Sequence, residues 1–173
     1  MRLFIAVNFS EITRSRLLSL GDELRKVSRQ GNFSQPENLH LTLAFLGECD
    51  KHQCDTAKAA MDGVSFQPFD ISAERLGRFP RGNSDIWWVG LAHSSSLLSL
   101  RRGLVSRLEA VGFALDKQEF KAHITLGREI ITSALPRQIE TFGERVTQID
   151  LMKSERINGK LVYTSIYSIN SKV

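Results

Sequence analysis

A chain of 173 residues, 42% of them hydrophobic, is long enough for one domain, or for two small lobes sharing a core. Its 23 Lys and Arg against 19 Asp and Glu leave a net charge of +4 with no long basic block; this permits an anionic partner but does not by itself argue for nucleic acid. Two cysteines rule out a disulfide scaffold, and no apolar run approaches the ~18 residues of a membrane span, so a reducing, cytoplasmic setting without membrane attachment is expected.

"LFIAV" at the start reads as a buried strand. Ser10 then caps a helix whose apolar residues Ile12, Leu17, Leu20, Leu24 and Val27 recur every three or four positions, ending near Gly31. "SQPEN" breaks the chain before "NLHLTLAFLG", a strand with Leu39, Leu41, Leu43 and Phe45 expected on its buried face and His40 and Thr42 on the other. "CDKHQC" places His52 between Cys49 and Cys54 but lacks the paired spacing of a zinc site, so no metal is expected there.

A helix from Lys51 to about Asp62 leads into extended segments at Phe69–Leu76 and Ile86–Leu91, with "RFPRGNSD" as the hairpin connection or longer loop between them. The clearest helix follows, Ser95 to about Val111, with Leu97, Leu100, Leu104, Leu108 and Val111 on one stripe and Gly112 as its stop. "EFKAHITLGR", a short helix near Leu135–Phe142, and two extended runs, Val146–Ile157 and Leu161–Ile169, complete the chain. "INGK" between the last two is a strong hairpin signal. Helices mixed with hairpins make the class α+β.

"HLTL" at His40–Leu43 returns as "HITL" at His123–Leu126, about half a chain length later and again after a long amphipathic helix. Threonine is 8 of 173 residues, so two such His-x-Thr pairs among four histidines arise by chance on the order of once in a hundred. A duplicated unit packed about a pseudo-twofold axis would bring the two strands face to face. His52 and His93 have no such partner and read as ordinary core or surface residues.

Residues i and i+2 of a strand share a face about 6.5 to 7 Å apart, so each imidazole has a hydroxyl beside it. Two facing strands then form a pocket of two imidazoles and two hydroxyls. A free imidazole titrates near ~6.5, so one ring can accept a proton while the other donates one. Such a pocket suits metal-free hydrolysis of a phosphodiester, with Thr42 and Thr125 holding the non-bridging oxygens.

With both motifs, and with "LFIAVNFS", "DIWWVGL" and "YTSIYSI", the chain resembles the 2H phosphoesterase superfamily over essentially its whole length. The match is nearest to the LigT-like RNA 2′,3′-cyclic phosphodiesterases, also called 2′-5′ RNA ligases. The resemblance implies one bilobal domain over 1–173, with two antiparallel sheets and outer helices about a central cleft. It also implies opening of an RNA terminal 2′,3′-cyclic phosphate to a 2′-phosphomonoester, with His40 as proton donor, His123 as proton acceptor and no cofactor.

The partners expected on that basis are RNA ends or small nucleotides carrying the cyclic phosphate, with the protein acting as a monomer. Arg128 is a candidate substrate contact, Phe9 and Phe79 are candidate base-stacking surfaces, and one of Trp87 and Trp88 should border the cleft while the other is buried. Two alternatives keep the same pocket: 2′-5′ ligation as the reverse reaction, and a module that binds the RNA end without turnover.

Overall fold

The computed structural model describes residues 1–173. Nine strands and three helices follow in the order β1 (Arg2–Asn8), α1 (Glu11–Lys26), β2 (Ser28–Phe33), β3 (His40–Glu48), α2 (Lys51–Asp62), β4 (Phe69–Arg81), β5 (Ser84–Leu91), α3 (Ser95–Ala110), β6 (His123–Thr132), β7 (Arg137–Val146), β8 (Gln148–Ile157) and β9 (Lys160–Asn170). The strands form two antiparallel sheets, ordered β3-β1-β8-β9 and β2-β6-β5-β4-β7. The fold is the expected bilobal α+β arrangement, and β3 and β6, the two motif strands, pack against each other where the lobes meet.

Ser10 caps α1 by accepting from the Thr13 backbone N–H, and Ser94 caps α3 through Leu97. The buried faces of both helices join one core cluster with Leu3, Ile5 and Val7 of β1 and Trp87 and Val89 of β5. At the last turn, Asn158 and Gly159 both adopt positive φ, at 50° and 77°, between the paired Ile157 and Lys160. This is the type I′ geometry that the Asn-Gly pair favours. "RFPRGNSD" is mostly strand: Arg81 pairs with Ser84 across a two-residue turn in which Gly82 has φ +66°.

Three expectations from periodicity are corrected. The first helix stops at Lys26, and Ser28–Phe33 leaves it to become β2, the outer strand beside β6. The segment near Leu135–Phe142 is strand β7, because β4 offers an open edge and seven residues of β7 pair along it. Local sequence cannot reveal such a distant edge.

Phe45 is the third correction: it is 59% exposed instead of sharing the buried face of Leu39, Leu41 and Leu43. Along β1, Ala6 pairs with Thr42 but Ile5 pairs with Ala44, so Leu43 is an extra residue in the ladder. One extra residue reverses which side chains face the core, sending Ala44 inward and Phe45 outward.

Candidate active site

The register repeats in the second lobe. Asn8, Val7 and Ala6 pair with His40, Leu41 and Thr42, while Gly90, Val89 and Trp88 pair with His123, Ile124 and Thr125. Trp87 then pairs with Gly127, so Leu126 is skipped as Leu43 is. The two lobes therefore share a two-strand unit down to the position of its bulge, and the pseudo-twofold relation extends well beyond the quoted tetrapeptides.

A bulge frees a carbonyl from the ladder, and both freed carbonyls find donors. The Leu43 carbonyl accepts from Arg101 Nε of α3 at 3.0 Å, with the guanidinium also lying over the Phe120 ring at 4.3 Å. The Leu126 carbonyl accepts from the Ser34 backbone N–H at 2.8 Å, and Ser34 Oγ donates to the Thr125 carbonyl at 3.0 Å. Arg101→Met is expected to destabilise the protein by about 1.5–3 kcal/mol, since it removes a charged donor from a freed carbonyl; urea unfolding measures it.

Each imidazole is held in the same way. His40 Nδ1 donates to the Asn38 carbonyl at 2.7 Å, and His123 Nδ1 donates to the Lys121 carbonyl at 2.5 Å. A carbonyl only accepts, so Nδ1 carries the hydrogen in both rings and Nε2 is left as the atom that exchanges a proton. His40 Nε2 already meets Thr42 Oγ1 at 2.8 Å, which places the motif hydroxyl beside that nitrogen.

Aromatic rings wall both histidines. Phe4 and Tyr163 lie 4.8 and 5.2 Å from the His40 ring, and Phe79 and Trp88 lie 5.1 and 6.1 Å from the His123 ring. Burial holds both imidazoles below their ordinary value near 6.5. The Asn38 and Lys121 carbonyls oppose that shift, while the Arg128 charge adds to it at both rings, and His123 adds to it at His40. Burial also pushes the Tyr163 hydroxyl up, against the Arg128 and Arg2 charges.

Arg128 is thus the cation whose field reaches both histidines and Tyr163 at once. It follows the second bulge and is exposed. Phe79 stands beside His123, and Trp88 borders the site while Trp87 is wholly buried. Phe9 is corrected: at 6% exposure it belongs to the core, so it presents no surface for a base.

Periodicity missed Phe4, Tyr163 and a polar floor beside His40. In that floor Asn8 Nδ2 donates to Asp150 Oδ2 at 2.7 Å, while Gln148, Ser165 and Ser168 donate to Asp150 Oδ1. Aligning "FIAVN" with "IWWVG" as the neighbours of the two motif strands is the signal that would have pointed to Phe4 and Asn8. No group of three or more His, Cys, Asp or Glu is placed to hold a metal ion. A broad surface groove of about 710 Å³ lies elsewhere, between residues 63–69 and α3, and brings no second histidine pair with it.

A family profile described as LigT like Phosphoesterase matches residues 9–88. An RNA 2′,3′-cyclic phosphodiesterase of Archaeoglobus fulgidus is 36% identical over 151 residues, covering 83% of this chain and 85% of that protein. One of the same name from Methanothermobacter thermautotrophicus is 26% identical and covers 96% of each. Among solved structures, a protein of Thermus thermophilus superposes with a TM-score of 0.84 at 28% identity, covering 98% of this chain and 97% of that one. The Escherichia coli LigT structure complexed with 3′-AMP superposes at 0.88 and 23% identity, covering 99% and 98%, a likeness of fold.

Proposed function

Because this chain belongs to the family of LigT-like phosphoesterases, we propose that it opens the 2′,3′-cyclic phosphate at an RNA end to leave a 2′-phosphomonoester, using two histidines and no metal. The observation that carries the residue assignment is the repeated anchoring of Nδ1 to the carbonyl two residues upstream in both motifs. It leaves two Nε2 atoms as the exchangeable sites in a pocket where Arg128 supplies positive charge.

In this reading the phosphate lies between the motif strands, its non-bridging oxygens held by Thr42, Thr125 and Arg128. His123 Nε2 takes a proton from water as the water oxygen attacks phosphorus. The bond from phosphorus to the 3′ oxygen breaks, and His40 Nε2–H gives its proton to that oxygen. The donor and acceptor roles follow the family resemblance. Ligation would run the same steps backward, and water in vast excess favours hydrolysis.

Both histidines come from one chain, which supports a single bilobal domain working as a monomer. Cys49 and Cys54 are free thiols, in keeping with work in the cytoplasm. The direct test is incubation of a short RNA ending in 2′,3′-cyclic phosphate, in EDTA, with the position of the product phosphate identified. EDTA-resistant formation of a 2′-phosphate supports the proposal. Binding of that end without opening it would leave a binding module instead.

Since both imidazoles sit below the ordinary value near 6.5, the singly protonated pair is populated on the acid side. The kcat/KM profile is therefore expected to be bell-shaped with its maximum below about pH 6.5. Arg128 lowers both groups, so Arg128→Met should move both limbs to higher pH. A wild-type maximum well above neutrality would contradict the assignment.

A further inference from the structure

Two residues other than glycine adopt positive φ: Asn158 in the last hairpin turn and Glu129, at 54°, in the interior of β6. A Cβ meets steric opposition in this left-handed region, so the surroundings must hold Glu129 there. Both neighbouring ladders leave it out. Toward β5, Gly127 pairs with Trp87 and Ile130 with Asp85, so Arg128 and Glu129 together oppose Ile86. Toward β2, Arg128 pairs with Asn32 and Ile131 with Gln30, so Glu129 and Ile130 together oppose Gly31. Glu129 is the one residue common to both bulges.

This extra residue decides what faces the histidines. In a regular strand residues 128 and 130 would share a face. Here Arg128 is exposed and its charge reaches both imidazoles, while Ile130 is 1% exposed and belongs to the core. Two glycines make the seat for Ile130: a Cβ at Gly127 would stand 2.8 Å from its Cδ1, and a Cβ at Gly31 would stand 2.9 Å from its Cγ1. On the other side of Arg128, the Leu126 carbonyl accepts from the Ser34 backbone N–H. Arg128 therefore rides on a bulge fixed at both ends. In β3 the second skipped residue is Leu46, and there a glycine, Gly47, takes the positive φ, at 77°.

We propose that the left-handed backbone at Glu129, locked by Ile130 in its seat, positions Arg128 for the substrate phosphate; this rests on the phosphodiesterase reading above. Glu129 is a positioning residue whose backbone acts and whose carboxylate is not needed. Strain of this kind persists where the surrounding structure fixes it, and here it stands next to the cation of the site.

The test compares wild type with Glu129→Gly, Glu129→Val and Gly31→Ala, and takes Arg128→Met as the reference for a lost cation. Phosphorus NMR titration with inorganic phosphate reads the contact, and the kcat/KM profile on nucleoside 2′,3′-cyclic phosphates reads the cation at the imidazoles. Glu129→Val, whose branched side chain resists positive φ, should weaken phosphate binding by about tenfold and move both limbs of the profile to higher pH, as Arg128→Met does. Glu129→Gly takes the same φ freely and should match wild type in both. Gly31→Ala crowds Ile130 from the neighbouring strand and should give the same changes in smaller measure, which decides the matter if Glu129→Val does not fold. Glu129→Val added to Arg128→Met should change phosphate affinity no further.

Wild-type phosphate affinity and pH limbs in Glu129→Val and Gly31→Ala overturn the proposal. So does a loss in Glu129→Gly as large as in Glu129→Val, which would make the carboxylate the active part. A fall in kcat with unshifted limbs marks a merely structural role and overturns it too. If wild type hydrolyses nothing yet binds phosphate, and Glu129→Val weakens that binding, the positioning stands and the phosphodiesterase reading falls. If wild type turns over and Glu129→Val binds phosphate equally well, the reading stands and the positioning falls. Wild type that neither turns over nor binds phosphate removes both.

Discussion

His40→Ala and His123→Ala are each expected to lower kcat for cyclic phosphate opening by about two to four orders of magnitude, the range of a positioned acid or base. The two losses should also differ in kind. A substrate with sulfur in place of the 3′ oxygen releases a thiolate that needs little protonation, so it should recover most of the rate in the variant that lacks the donor. Recovery in His40→Ala and not in His123→Ala supports His40 as donor and His123 as acceptor, and the opposite pattern would exchange them. A modest, equal loss in both variants would mean that the imidazoles only help to bind phosphate. Each ring packs against two aromatics, so circular dichroism and thermal unfolding should accompany the rates.

Trp87→Ala is expected to destabilise the fold by about 3–5 kcal/mol, roughly a fifth or more of the whole stability of a typical domain. The side chain is fully buried in the core, behind the strand face that carries Trp88, and its backbone partner is Gly127 at the second bulge. Its buried indole N–H has no hydrogen-bond partner. Trp87→Phe should therefore be far milder, because it removes an unpaired donor along with part of the volume. Urea denaturation of both variants measures the difference. A Trp87→Phe loss as large as that of Trp87→Ala would show that ring shape, and not apolar volume, governs this part of the core.

The paired-histidine reading was legible in the sequence because it rests on residue type at a spacing of two. His40 with Thr42, and His123 with Thr125, share a strand face whatever surrounds them, and their recurrence pointed to facing lobes. The Asn158-Gly159 turn was legible for a similar reason, since positive φ at two successive residues is a local demand. Where periodicity misled, a distant partner decided. The segment at 137–146 became a strand because β4 had a free edge, and 28–33 did so because β6 had one.

The sequence by itself determined the strands that carry the histidines, the class of the fold and the family resemblance. These rest on short-range spacing and on motifs read within one segment. Only the tertiary structure decided that Leu43 and Leu126 are skipped, that Phe45 faces outward, that Phe9 is core, and that Phe4, Tyr163 and Trp88 wall the histidines. The reason is that a bulge is a relation between two strands. Nothing in "HLTLAF" alone states which residue β1 will leave unpaired, yet that choice reverses the face of the residues that follow, up to the next bulge at Leu46.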